Sequence, residues 1–286
     1  MNLENLKVLA AALPKEYKAH AEELLSRMEE VVEGIGDEPI RWRPPMLKLV
    51  QGTTDRNTIP KGTAIGDFVL GQKRIERPMV FIPERIWEGR QFWNPDPNES
   101  NLICSSPDGK LGYIGLYCNQ CPHAKFDEVA RKSECSKTQN VIVISPDLRE
   151  IFTITFSKTN YQTGTDLKSQ ATKASVPIYR RMYSLTTTPN KKYKNVENYA
   201  LELLEGDKAI TPAPLLPFLK ELFELVGVDR KENLDKFHEM ILSRKANNAA
   251  LPAPVDEENN TVLLTDDSSD AGGESTVSDL AKNYQV

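Results

Sequence analysis

The sequence predicts a mainly β domain flanked by helices, with a small cysteine-bearing module inserted between its strands. Three observations lead there. Between residues 41 and 205 the 286-residue chain carries short apolar and β-branched runs separated by Gly and Pro, the rhythm of a barrel or sandwich. Helical spacing of apolar residues is confined to the two ends of that block. The only four cysteines fall inside it, at Cys104, Cys118, Cys121 and Cys135.

Residues 1–40 make the first helical segment. Tyr17, Ala21, Leu24, Met28, Val31 and Ile35 recur at helical spacing, Pro14 divides the segment, and Gly34 and Gly36 end it. From Arg41 the character changes. Leu47–Val50, GTAIGDFVLG (62–71), Met79–Ile82 and Phe92–Asn94 are strand-like pieces, with Gly52, Pro78 and Pro83 as turn signals among them. VIVIS (141–145) and IFTITFS (151–157) flank the Pro-Asp turn PDLRE and read as a hairpin. A helix is expected over Asp166–Lys173, and IYRRMYSLTTT (178–188) as a strand before the basic turn NKKYKN. Residues 206–246 carry two helices, over 215–226 and 230–246, the second with Leu234, Phe237 and Ile241 on one face. Residues 247–286 hold too few apolar side chains to offset ordering entropy and are expected to be a disordered acidic tail.

The cysteines follow C-x13-C-x2-C-x13-C, a central knuckle flanked by single thiols. A tight pair needs two more ligands to close a tetrahedron around Zn²⁺, and the outer cysteines supply that number. Four soft thiolates with no open position describe a structural zinc within a ribbon over 104–135. His123, two residues past the knuckle, could replace an outer cysteine; a surface histidine is the simpler reading. Disulfides would need an oxidising compartment, and MNLENLKVLAAALPKEY lacks the basic start and apolar core of a secretion signal. With no run of 18 apolar residues either, a cytoplasmic protein, without a membrane partner, is expected.

Charge is unevenly spread. Residues 1–246 hold 35 Lys and Arg against 33 Asp and Glu, whereas residues 247–286 hold one against eight. Residues 101–200 hold 14 against 8, so a basic middle precedes an acidic end. No phosphate-binding, zinc-protease or nucleophile-elbow motif is present, and three scattered histidines offer little for acid–base work. A non-enzyme is expected; carboxylates such as Asp108 and Asp147 sit in turn sequences and suit turn formation better than a nuclease.

Binding residues are better represented. Arg131, Lys132 and Lys137 lie in or beside the cysteine segment, and Lys158, Tyr161, Lys168 and Lys173 follow the second hairpin strand. Strand alternation would put Tyr179, Arg181 and Tyr183 on one face, with Lys191 and Lys192 in the next turn. Lysine and arginine neutralise phosphates, and tyrosine rings stack on unpaired bases for ~1–3 kcal/mol each. Taken singly, each tyrosine is as well explained by the core; their concentration beside the cations points to single-stranded DNA.

The plan of β-barrel, zinc ribbon, basic-aromatic groove and acidic tail resembles phage single-stranded DNA-binding proteins, such as the helix-destabilising protein of T-even phages. That family uses three cysteines and one histidine at other spacings. The strings GDFVLG (66–71), CSSPDGKLG (104–112), the knuckle at 118–121 and FSKTNYQTGTDLK (156–168) also look like a family of tailed-phage proteins. The resemblance spans roughly residues 45–200 and implies an OB-type barrel with the four cysteines as zinc ligands. It further implies a bacteriophage role in coating single strands during DNA replication or recombination, with partner proteins meeting the tail. The alternative is a zinc-containing transcription or replication accessory factor that docks on a polymerase through its ribbon and helices.

Overall fold

A computed structural model describes residues 3–29, 44–94, 102–129 and 132–249. The acidic segment expected at 247–286 lies outside the described residues except for its first three, which still belong to a helix. Two compact units emerge, Met1–Gly89 with Lys137–Glu232, and Arg90–Ser136 with Asn233–Val286. The fold is mixed α and β, 38% helix and 30% strand, so helix carries more of the chain than a mainly β reading allows. The sheets are chiefly antiparallel, and no closed barrel forms among the described residues.

In the first unit, helices α1 (Leu3–Ala11) and α2 (Lys15–Glu29) turn at Pro14, whose carbonyl accepts from the Tyr17 and Lys18 amides. Strands β1 (Leu47–Leu49), β2 (Phe68–Leu70) and β3 (Lys73–Ile75) form a small sheet. The larger sheet follows the order β7-β6-β4-β8-β9, with β5 (Leu102–Ser106) also paired to β4. Its strands are β4 (Met79–Trp93), β6 (Ser136–Ile144), β7 (Ile151–Ser157), β8 (Tyr183–Pro189) and β9 (Glu197–Glu202). An isolated parallel bridge, Met46 to Thr153, ties the start of β1 to β7.

The β6–β7 hairpin shows why the layers form. Its register runs from Thr138 opposite Ser157 to Ile144 opposite Ile151. Alternation sends Val141, Val143, Phe152, Ile154 and Phe156 to one face and Ile142, Ile144 and Ile151 to the other. One face packs with Phe68, Leu70 and Leu167 of helix α3 (Tyr161–Lys173). The other receives Leu6, Leu24 and Leu25 from α1 and α2, and Phe218, Leu219 and Leu222 from helix α4 (Leu216–Ala249). The N-terminal helices are therefore a wall of this core.

Three sequence expectations change here. Met79–Ile82, Phe92 and Trp93 belong to one 15-residue strand; Pro83 lies within it, two residues past the last rung of the ladder to β8 at Phe81. The two expected C-terminal helices are one, because Gly227 is not a break. A Cβ at 227 would stand 1.9 Å from the Arg85 Nη2, and that nitrogen donates to the Phe223 carbonyl at 3.0 Å. The Arg85 guanidinium also lies 4.3 Å from the centre of the Phe223 ring. Helix propensity of about 1 kcal/mol is given up for this crossing. Finally, residues 178–182 are not strand. Ile178–Arg180 form a 3-10 turn after Pro177, and Arg180 and Met182 exchange backbone hydrogen bonds with Ala209 and Thr211.

Glu84, next to Pro83, is fully buried, and neither carboxyl oxygen has a hydrogen-bond partner among the described residues. Burial holds its carboxyl well above the usual range, only partly opposed by the neighbouring Arg85. The folded state then keeps a proton that the unfolded chain releases near pH 4.5, so Glu84 costs stability progressively as pH rises above that value. Glu84→Met is expected to stabilise the protein by about 1–3 kcal/mol at pH 8 and to converge on the parent near pH 4. Urea unfolding at a series of pH values measures both effects.

Candidate functional site

The cysteine segment belongs to the second unit. Arg90–Trp93 of β4 pair with β5, which places Cys104 opposite Phe92. The chain then turns through Asp108, whose Oδ1 accepts from the Lys110 and Leu111 amides and from the Ser106 hydroxyl. Asp108 Oδ2 lies 3.1 Å from Nε2 of His238 on α4. Asp147, the other carboxylate singled out in the sequence, likewise serves its own turn, accepting from Ser145 Oγ and the Arg149 amide.

All four cysteines line one small cavity of about 10 Å³, together with Arg90, Phe92, Ser106 and His123. They are free thiols, three of them buried and Cys104 half-buried. The knuckle is shaped by backbone: the Cys118 amide donates to the Lys110 carbonyl at 2.7 Å, and Cys121 precedes a 3-10 turn over Pro122–Ala124. The Cys135 amide donates to the His123 carbonyl at 2.7 Å, which returns the fourth cysteine to the knuckle. His123 stacks on Phe92 with ring centres 4.4 Å apart, and its Nδ1 sits 2.6 Å from Glu134 Oε2.

Burial pushes the Cys135 thiol up to about 11 and raises Cys104 and Cys118 as well. Against it work the Ile114 and Tyr113 amides at Cys104 and the Arg90 guanidinium at Cys135; the Ser106 hydroxyl, whose proton goes to Asp108, lies beside Cys118. Such donors suit thiolates, while burial alone keeps thiols protonated. As placed, no three ligand-type side chains among the described residues are disposed to hold a metal ion.

The expected nucleic-acid contacts divide sharply. Tyr179 and Tyr183 are core residues, 7% and 3% exposed. Tyr179 packs with Phe223 in the helical layer, and Tyr183 stacks on Phe81 inside the other. Their rings offer no face to a base, so this part of the expectation is corrected: the 178–182 turn, with Pro177 before it, breaks the strand alternation that would have exposed them. Tyr161 is half-buried, its hydroxyl donating to Glu88 and accepting from Gln139. Lys137 is committed to Glu88 at 3.4 Å. Lys132 is exposed, and Arg131 lies outside the described residues.

The remaining cations behave differently. Lys158, Lys168, Lys173, Arg181, Lys191 and Lys192 are all exposed, as are Arg180 and Lys194. None of these eight forms an ion pair among the described residues, whereas Lys7, Arg27, Lys73, Arg74 and Arg77 do. The stretch 158–194 contains one acid, Asp166, which accepts from Gln162. Its carriers are fastened together: Asn160 Oδ1 accepts from the Tyr199 amide, and Thr163 Oγ1 donates to the Tyr199 carbonyl. Arg180 and Arg181 border an open groove of about 610 Å³ with Val176, Leu204 and Ile210.

One exposed ring stands in the basic turn the sequence singled out, and the others stand elsewhere. Tyr193, 49% exposed, tops the β8–β9 turn with Lys192 Nζ 5.2 Å from its ring centre. Trp93, Tyr117 and Phe126 are exposed in the second unit. The turn NKKYKN with its single ring was visible in the sequence; the other three carried no signal beyond lying near the cysteines. Comparison with protein-family models, curated proteins and solved structures finds no match.

Gly112 reports on the packing of the cysteine cavity. A Cβ there would stand 2.9 Å from the Cys104 sulfur and 3.4 Å from the Leu116 carbonyl oxygen, so the sulfur has to shift within its cavity. Gly112→Ala is expected to cost about 1–3 kcal/mol by overpacking, read as a lowered denaturation midpoint with an unchanged denaturant slope.

Proposed function

We propose that this protein binds single-stranded DNA without sequence preference, by phosphate neutralisation and base stacking, and coats strands during phage replication or recombination. The observation that carries this reading is the set of eight exposed Lys and Arg over 158–194, none of them ion-paired among the described residues, beside the exposed ring of Tyr193. Clustered like charges repel one another and are relieved by a polyanion.

Topology supports the reading. A long β4 shared by β6 and β8, a meander β4–β6–β7, helix α3, then hairpin β8–β9 is the strand plan expected of an OB-type barrel left partly open. In such barrels the first-to-second and fourth-to-fifth strand connections carry oligonucleotide contacts. Here the fourth-to-fifth connection is the turn 190–196, with its lysines and Tyr193, and the first-to-second connection runs through the cysteine module. Zinc held by Cys104, Cys118, Cys121 and Cys135 would brace the first connection. Sulfur-directed donors and a shared cavity fit a four-thiolate set. The acidic residues of 250–286 would compete with DNA for the same cations and recruit partner proteins.

A second reading rests on Ile114, Leu116 and Val129, aliphatic side chains exposed in the cysteine module. They suit a zinc-containing accessory factor that docks on a polymerase. The two separate by ligand: the first needs only an oligonucleotide, the second a protein.

Fluorescence titration with oligo-dT tests the main reading. Binding should weaken as salt rises, and neutralising Lys191, Lys192 and Lys194 to Gln should lower the log–log salt slope by about 0.7 for each phosphate left without its cation. Tyr193→Ala should cost ~1–3 kcal/mol. Absence of binding at low salt with residues 250–286 removed would overturn the proposal. For the metal, elemental analysis should find one zinc per chain, and Cys118→Ser with Cys121→Ser should release it and lower the melting temperature.

A further inference from the structure

We propose that Arg90 is the charge-compensating partner of the four-cysteine centre, the side chain that makes a buried tetrathiolate tolerable in this module. The inference rests on the reading of those cysteines as a metal centre. Zinc with four thiolates carries a net charge of −2, which burial in a small cavity penalises unless a fixed cation stands beside it. Arg90 lines the same cavity as Cys104, Cys118, Cys121 and Cys135. Its guanidinium reaches the Cys135 sulfur, and its charge acts on Cys118 as well.

The backbone holds it there. Arg90 opens the β4–β5 ladder directly opposite Ser106. Ser106 is 2% exposed, and its hydroxyl lies beside Cys118. Arg90 forms no ion pair with a carboxylate among the described residues, unlike Arg74 and Arg77, which both grip Asp67. A guanidinium suits this place better than an ammonium: its planar fork can donate to sulfur while staying ionised under any burial. As an outer-shell partner it orients ligands and tunes the centre without touching the metal.

The test uses the full chain, with Co²⁺ as a spectroscopic probe and a chromophoric chelator as competitor. Wild type should show the intense charge-transfer and visible bands of tetrahedral Co²⁺ bound by sulfur; their absence would remove the metal centre itself, and this inference with it. Given those bands, Arg90→Gln is expected to keep their positions but weaken metal affinity about 10–100-fold, with faster transfer of metal to the chelator. Arg90→Lys should recover most of that loss. Affinity in Arg90→Gln equal to wild type would overturn the role of Arg90 while leaving the centre standing, and so would equal losses in the Lys and Gln variants. Should Arg90→Gln not fold, Arg90→Lys decides: retained affinity supports charge compensation and a loss of 10-fold or more overturns it.

Discussion

The β6–β7 hairpin buries both of its faces, and the architecture of the first unit follows from that requirement. A strand pair with Val, Phe and Ile pointing both ways cannot sit at a surface. It needs two covers, and the chain supplies them from opposite ends: α1, α2 and the start of α4 on one side, the small sheet, β8 and α3 on the other. At ~25 cal/mol per Å² of apolar surface, each buried Val, Phe or Ile contributes roughly 1.5–3 kcal/mol. The hairpin alone places eight such residues in the two cores. The remaining elements are arranged around what it demands.

How much of this could be read beforehand depended on whether the signal was local. The hairpin and the first helices announced themselves through periodicity and turn residues, though the end expected for those helices, at Gly34 and Gly36, lies outside the described residues; α3 was expected from Asp166 and begins five residues earlier, at Tyr161. The gap expected between residues 226 and 230 does not exist, because a glycine in a helical pattern looks the same whether it ends the helix or makes room for a guanidinium. Only the third dimension shows Arg85 lying across it. Pro83 misled in the same way, since whether proline interrupts a strand depends on whether a neighbour needs its missing N–H. Glu84 gave no sign at all; a carboxylate in sequence looks solvated until the walls around it are known.

The candidate site splits along the same line. Charge survives the step from sequence to structure because lysine and arginine rarely bury their heads, so the unpaired cations of 158–194 are where composition put them. Aromatic rings do not survive it, because tyrosine is equally at home in a core. Tyr179 and Tyr183 went inward while Tyr193 stayed out, and only the last stands in a polar turn. The cysteines were legible through spacing alone, and the structure adds the donors around them.

The turn between β8 and β9 has a consequence of its own. Its backbone is splinted: Asn190 Oδ1 accepts from the Lys192 and Tyr193 amides, and Gln51 bonds both the amide and the carbonyl of Glu197. Across it, the Gly52 amide donates to the Asn195 carbonyl, at an approach no side chain at position 52 would permit. Lys191, Lys192 and Lys194 are thus loose tethers on a stiff ridge. A passing polyanion would have no loop to order, and each ammonium could swing from one phosphate to the next. On the proposed reading, such a ridge would let a bound strand creep lengthwise, grip and mobility residing in different parts of the same short turn.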